Sequence, residues 1–152
     1  MNAVILCVGK LRQPWQRQGV EEYLKRLSRY GKYEIQQVDD APDSLGARGM
    51  EREGEALLRR VRPGDHVVAL CIEGPASDSP GLAQCLARWA RAGGRTVLIV
   101  GGSNGLSRAV LDRADERLSF SRLTFPHGLM RVILLEQLYR AERILAQEPY
   151  HK

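Results

Sequence analysis

Apolar runs without alternation limit the fold of this chain more than any motif does. Val67-Val68-Ala69-Leu70-Cys71-Ile72 and Val97-Leu98-Ile99-Val100 are unbroken by polar residues, and Ala3 to Val8 reads the same way up to Gly9. A strand with one wet face alternates with period two, so an unbroken run marks a strand covered on both faces. Stretches with helical spacing separate these runs. Val20, Tyr23, Leu24 and Leu27 stand at i, i+3, i+4 and i+7; Met50, Gly54, Leu57, Leu58 and Val61 keep a similar stripe, as do Leu82, Ala83, Leu86 and Ala90. Buried strands alternating with amphipathic helices predict an α/β fold, a mostly parallel sheet with helices on both faces.

Local signals give the expected boundaries. Gly31 is a stop for the first helix. Tyr33 to Val38 alternates and predicts a strand, and a helix is expected from about 48 to 60. Arg62-Pro63-Gly64 is a turn before a strand from His66 to Ile72. Ser79-Pro80 supplies an N-cap followed by proline at the first helical position, and Gly93-Gly94 closes that helix. Thr96 to Val100 is a strand, Ser107 to Ala114 a short helix capped by Ser107, Leu118 to Phe120 a brief strand, and Leu129 to Gln147 the longest helix.

A chain of 152 residues suits one domain, taken as 1–152. No apolar run reaches the roughly 18 residues that span a bilayer, so no membrane partner is expected. The first residues read as a strand and not as a signal peptide, which points to the cytoplasm. Cys7, Cys71 and Cys85 are odd in number and widely spaced, as expected of free thiols in a reducing compartment. The formal charge of +5 permits a polyanionic partner without selecting one. Part of that charge is expected to pair with itself, because Glu21/Lys25 and Glu22/Arg26 are spaced i,i+4.

Ligands of open α/β sheets bind beyond the carboxyl ends of the strands. Three loops qualify: Glu73-Gly74-Pro75, Gly101-Gly102-Ser103-Asn104-Gly105, and the run from Ser121 to Gly128. Three glycines in five residues exceed what a tight turn needs, and Gly102 is expected to let the backbone approach a ligand. Gly101 to Gly105 also spells G-x-S-x-G, which makes a serine hydrolase the sharpest alternative, with His127 and Asp112 or Asp115 as partners of Ser103. Against it stand the short chain, the lack of an upstream oxyanion segment, and a helix that enters at Ser107 instead of at the serine. No phosphate-binding P-loop or GxGxxG occurs, and His66, His127 and His151 lack metal-ligand spacing, so no metal is expected. A non-catalytic RNA-binding module is a further alternative, distinguished by salt-sensitive RNA affinity without chemistry.

Several ordered motifs resemble a known family. They are Val100-Gly101-Gly102-Ser103-Asn104-Gly105-Leu106-Ser107, Leu123-Thr124-Phe125-Pro126-His127, Met130 to Ala141, and Pro149-Tyr150-His151, with Val8-Gly9-Lys10 and Tyr23-Leu24-Lys25-Arg26 upstream. Together they resemble the SPOUT-class methyltransferases that act on N3 of a pseudouridine in the 23S rRNA of the large ribosomal subunit. Ser103-Asn104 stand where relatives often have Pro-Glu or Pro-Tyr, and Gly128 where they often have an amide or proline. The resemblance implies a five- or six-stranded SPOUT fold with a C-terminal trefoil knot, a homodimer, and S-adenosylmethionine as methyl donor. It places the cofactor on Leu70, Gly102, Ser121, Arg122, Leu123, Thr124, Phe125 and Pro126, and the chemistry on Arg140, Tyr150 and His151.

Those residue types suit the reaction. Methylating a uracil-type nitrogen removes an imide proton while nitrogen, methyl and sulfur align, so positioning and a nearby base are needed. His151 and Tyr150 are candidates to hold or deprotonate the base, and Arg140 to orient the nucleotide or a phosphate. His127 is expected to hold its loop. On the last helix, Ile133, Leu134, Leu135, Leu138, Ile144 and Leu145 make an apolar face wider than one core stripe, which a homodimer would cover.

Overall fold

Thr96–Val100 is buried at every position and forms the central strand of the molecule. The computed structural model describes residues 1–152. In chain order the elements are β1 (Asn2–Val8), α1 (Pro14–Leu27), β2 (Lys32–Val38), a 3-10 turn (Asp43–Leu45), α2 (Ala47–Leu58), β3 (His66–Leu70), α3 (Ser79–Ala92), β4 (Thr96–Val100), α4 (Arg108–Arg113), β5 (Glu116–Leu118) and α5 (His127–Leu145). All strand pairs are parallel, in the order β2-β1-β4-β3-β5.

Two apolar layers flank the sheet, as the unbroken runs require. Ile5, Cys7, Val68, Leu98 and Val100 face a layer with Leu27, Leu86, Trp89, Leu134 and Leu138 from α1, α3 and α5. Val4, Leu6, Val8, Val67, Val97 and Ile99 face the other way, toward Leu57 of α2 and Val110 of α4. Alternate residues of β1 and β4 thus enter opposite layers, the period-two geometry of a strand buried on both sides. β2 lies at one edge and is mostly half-buried, which is why its sequence alternates.

Some boundaries fall elsewhere than expected. β3 stops at Leu70: Cys71 N–H makes the last ladder bond, to Leu118 O at 3.0 Å, and Cys71 O then accepts from Gly74 N–H at 3.1 Å, which closes a turn. β5 occupies 116–118 and not 118–120. The cap of α3 is Asp78, whose Oδ1 accepts from Gly81 N–H at 2.8 Å; Ser79 and Pro80 are already helical. Gly31 is needed for close approach and not as a helix stop, since a Cβ there would sit 2.5 Å from Met1 O. α5 begins two residues early, at His127 behind Pro126.

The wide apolar face of α5 is largely met within the protomer. α5 packs on α1 along one side and on α3 along the other. Leu134, Leu135 and Leu138 are fully buried, leaving only Leu145 well exposed among the six apolar residues, at 42%. A homodimer therefore does not follow from the width of that stripe. Cys7 is buried, Cys71 and Cys85 are half-buried, and all three are free. Burial pushes the Cys7 thiol up to about 12, so it is inert at neutral pH. No helix is long and apolar enough to cross a membrane.

Candidate active site

The carboxyl ends of three strands meet. Leu70 of β3 pairs with Val100 of β4 on one side and with Leu118 of β5 on the other. The loop after β3 continues beside β5, with Ser119 N–H donating to Pro75 O at 2.9 Å. Gly74 makes this possible, since a Cβ there would lie 2.8 Å from the Leu118 nitrogen. Between the loops after β3, β4 and β5 lies an open cavity of about 880 Å³, within the size range of small-molecule sites. Leu70, Gly102, Ser121, Leu123, Thr124, Phe125 and Pro126 all line it, with Met50, Met130 and His127. Arg122 does not line it and is exposed. Leu123 is 70% exposed, an apolar lip with nothing against its outer surface.

The glycine loop works differently from the expectation. Gly105 N–H donates to Gly102 O at 3.0 Å and closes a tight turn over Ser103 and Asn104. The side of Gly102 that a Cβ would occupy faces Val8 of β1, 3.0 Å from its Cγ1, and not the cavity. Glycine here lets the loop lie against the end of β1. Gly105 has φ +78°, a left-handed conformation that favours glycine. Asn104 Nδ2 is buried without a protein partner, a free donor among the residues lining the cavity. Ser103 Oγ donates to Asp43 Oδ1 at 2.9 Å, so its proton goes to a carboxylate and no histidine activates it. α4 starts only at Arg108, with Ser107 Oγ accepting from Val110 N–H at 3.3 Å. The hydrolase alternative lacks both its base and its elbow.

Behind the cavity stands a residue that sequence reasoning missed. Arg131 of α5 is fully buried. Its Nη2 donates to Val8 O and Gly9 O, both at 2.7 Å, and its Nη1 to Gln37 Oε1 at 3.2 Å. The guanidinium satisfies carbonyls that leave the end of β1 without ladder partners, and so ties α5 to the sheet. A charge between Met130 and Val132 in an apolar stretch was the available signal.

The C-terminal residues form a second cluster. Gln147 has φ 57°, and Glu148 N–H returns to Arg143 O at 2.9 Å. This left-handed turn ends α5 and folds the tail back on the helix. Tyr150 stacks edge-on against Tyr139, with ring centroids 5.0 Å apart, and its hydroxyl donates to Glu136 Oε1 at 3.0 Å. Arg140 Nη2 donates to the same carboxylate oxygen, and the Arg140 guanidinium lies 4.7 Å over the Tyr150 ring. Arg140 Nη1 stands 3.5 Å from His151 Nδ1. Arginine only donates, so this approach leaves the proton of a neutral imidazole on Nε2. Burial, and then the hydrogen bond to Glu136, push the Tyr150 phenol up to about 12. Tyr150 is therefore a donor near neutrality and not a base.

Arg140 and Tyr150 thus meet at Glu136, with His151 beside Arg140; the spacing of Glu136 from Arg140 was its only mark in the sequence. None of them lines the cavity. Met130 lines it, and Arg140 lies ten residues further along α5, about 15 Å at 1.5 Å per residue.

The family model described as Predicted SPOUT methyltransferase matches residues 1–151. The chain belongs to that family. Among the curated proteins, this methyltransferase is 49% identical to the ribosomal RNA large subunit methyltransferase H of Bifidobacterium animalis subsp. lactis (strain AD011), with each chain covered completely. Proteins of the same name from Bacillus pumilus (strain SAFR-032) and Clostridioides difficile (strain 630) are each 47% identical, again over 100% of both chains. Among solved structures, a probable methylase family protein from Haemophilus influenzae Rd KW20 matches with TM-score 0.58 at 12% identity, covering 99% of this chain and 70% of that one. That likeness supports the fold alone. Membership of a methyltransferase family sets aside the hydrolase and the non-catalytic RNA-binding alternatives. No cluster of three or more His, Cys, Asp or Glu that could hold a metal ion occurs in this SPOUT methyltransferase.

Proposed function

We propose that the protein transfers a methyl group from S-adenosylmethionine to N3 of a pseudouridine in the 23S rRNA of the large ribosomal subunit. The observation that carries this is full-length identity of 45–49% to five relatives named ribosomal RNA large subunit methyltransferase H. The cavity fits the donor. Its volume of about 880 Å³ admits a nucleoside with an amino-acid arm. Leu70, Leu123, Phe125 and Met130 give apolar walls for a purine, and Asn104 Nδ2 is a buried donor without a partner. S-adenosylmethionine supplies an electrophilic methyl on sulfonium sulfur: the C–S bond breaks as the N3–C bond forms, and N3 gives up its proton.

The chain's own residues orient the acceptor. His151 meets the target base through one ring nitrogen. When Arg140 turns from His151 to an RNA phosphate, Nδ1 is free to accept the imide proton. Tyr150, with its phenol proton firmly held, keeps Glu136 and the tail in place. The reacting atoms must approach to about 3 Å, whereas Glu136 and Arg140 of the tail cluster lie about 9 and 15 Å along α5 from Met130 of the cavity. This separation supports a homodimer in which the tail of one protomer reaches the cavity of the other. It is a stronger reason for a dimer than the apolar stripe of α5. A protein with this fold and this substrate is expected in the cytoplasm.

The test is methyl transfer from labelled S-adenosylmethionine to large ribosomal subunits, followed by nuclease digestion and mass spectrometry. A 3-methylpseudouridine in the 23S digest is the expected product. Label in another nucleotide, or none in wild-type reactions with saturating donor, overturns the assignment.

A further inference from the structure

Trp15 is 53% exposed at the start of α1. Its level along α5 is fixed by helix packing. α1 and α5 run side by side in the same direction: a Cβ on Gly128 would lie 2.6 Å from the Gln16 side chain, and one on Gly19 would lie 3.2 Å from Val132. Further along, the rings of Tyr23 and Tyr139 are 6.2 Å apart. Trp15 is therefore level with the first turn of α5, where His127 and Met130 line the cavity. The segment before it is held in shape, because Arg17 Nη1 donates to Leu11 O at 3.0 Å and to Arg12 O at 3.3 Å. Lys10 and Arg12 on that segment are exposed and belong to none of the ion pairs of the chain.

We infer that Trp15 is a base-stacking residue, whose indole receives an unpaired nucleobase of the RNA substrate while Lys10 and Arg12 meet the adjoining phosphates. The inference rests on the RNA substrate proposed above. An exposed indole offers a flat face to any base, and sequence-specific RNA recognition uses splayed bases stacked on aromatic rings. Two unpaired cations on a braced loop suit the backbone on either side of such a base. Stacking at the level of the first turn of α5 would hold the RNA at the same end of the fold as the cavity. Trp89 offers no second platform: it is 3% exposed and its Nε1–H donates to Glu116 Oε1 at 3.0 Å.

The two indoles also make the idea measurable. Oligouridylate titrated into the full-length protein at low salt should quench the solvent-exposed part of the tryptophan emission, and Trp15→Ala should abolish that quenching. With large ribosomal subunits as substrate, Trp15→Ala should raise KM about tenfold with little change in kcat, the loss of one stacked base. Trp15→Phe, which keeps an aromatic face, should recover most of it. Thermal unfolding of Trp15→Ala should match wild type, because the side chain is exposed. Wild-type KM and wild-type quenching in Trp15→Ala overturn the inference. So does a Trp15→Ala protein that elutes as a monomer where wild type is a dimer, since the indole then serves a second copy of the chain. Failure of the wild-type enzyme to methylate large subunits would instead strike the proposed function, whatever the variant does.

Discussion

Tyr150 and Arg140 donate to the same oxygen, Oε1 of Glu136. One carboxylate thereby sets the position of a phenol on the tail and of a guanidinium on α5. Glu136→Gln should loosen both at once. Methyl transfer is expected to fall tenfold or more, on the order of one charge-assisted hydrogen bond. The affinity for S-adenosylmethionine should stay near wild type, because Glu136 does not line the cavity. Isothermal titration beside a single-turnover assay separates the two, and a parallel loss of donor affinity would mean that the tail cluster supports the cofactor site.

His151 is exposed and adds little to the core. His151→Ala should keep the wild-type melting temperature while kcat drops roughly 100-fold or more, the usual range for an acid–base group. Tyr150→Phe should show a smaller fall in rate and a stability loss of about 1 kcal/mol for the missing hydrogen bond. Wild-type turnover by His151→Ala would move the chemistry to Arg140 and His127.

If the tail of one protomer serves the cavity of the other, two defective chains can make one good site. A heterodimer of a His151→Ala chain with a cavity-defective chain should regain about half of one wild-type dimer's activity, since one of its two sites is intact. Neither parent homodimer should be active. Light scattering should report a dimer at micromolar concentration. A monomer there, or no recovery in the mixed species, would place the site within one chain.

Gly102→Ala puts a methyl group 3.0 Å from Val8 Cγ1. The loop must then lift from β1, at a cost of about 1–3 kcal/mol for overpacking. The expected result is a lower melting temperature together with weaker donor binding. Weaker binding with unchanged stability would show that the methyl group enters the cavity itself.

Asp65 accepts from Arg95 Nε at 2.9 Å and from Arg62 N–H at 2.7 Å. Burial opposes its charge, but these donors outweigh it and hold the carboxyl below its usual range. The folded state therefore binds fewer protons than the unfolded one, whose Asp titrates near 3.9. The resulting stability is present above about pH 4 and is lost as pH falls through the folded value. Asp65→Asn should cost about 3 kcal/mol at pH 7, the loss expected when one partner of a buried pair is removed. The gap to wild type should narrow below pH 4. Urea melts across this range give the answer, and a gap independent of pH would mean that the ion pair is not its source.

Periodicity announced the buried strands and the longer helices, because burial on two faces and burial on one leave different patterns in the residues themselves; the 3-10 turn at Asp43–Leu45 and the place of β5 left no such pattern. The ends were less legible. Whether α3 is capped by Asp78 or Ser79 depends on a single side-chain oxygen reaching Gly81 N–H. Whether β3 ends at Leu70 or Ile72 depends on Leu118, which lies far along the chain and is the last partner in the ladder before Cys71 O turns to Gly74 N–H. Such choices are made by partners that local sequence does not name.

The candidate site divides along the same line. The sequence by itself determined the alternation of buried strands and amphipathic helices, the glycine-rich loop after β4, and the motifs of the SPOUT methyltransferases, because composition and order carry all three. Only the tertiary structure decided that seven of the eight expected cofactor residues share one cavity while Arg122 stays outside it. It alone turned the bare side of Gly102 toward Val8, and buried Arg131 against the carbonyls of Val8 and Gly9. It also joined Arg140 and Tyr150 at Glu136, with His151 beside Arg140, away from that cavity. Each of these depends on where distant segments meet once the sheet order β2-β1-β4-β3-β5 has closed. Hydrogen bonds and packing act over a few ångströms, and which atoms come that close is a property of the folded chain.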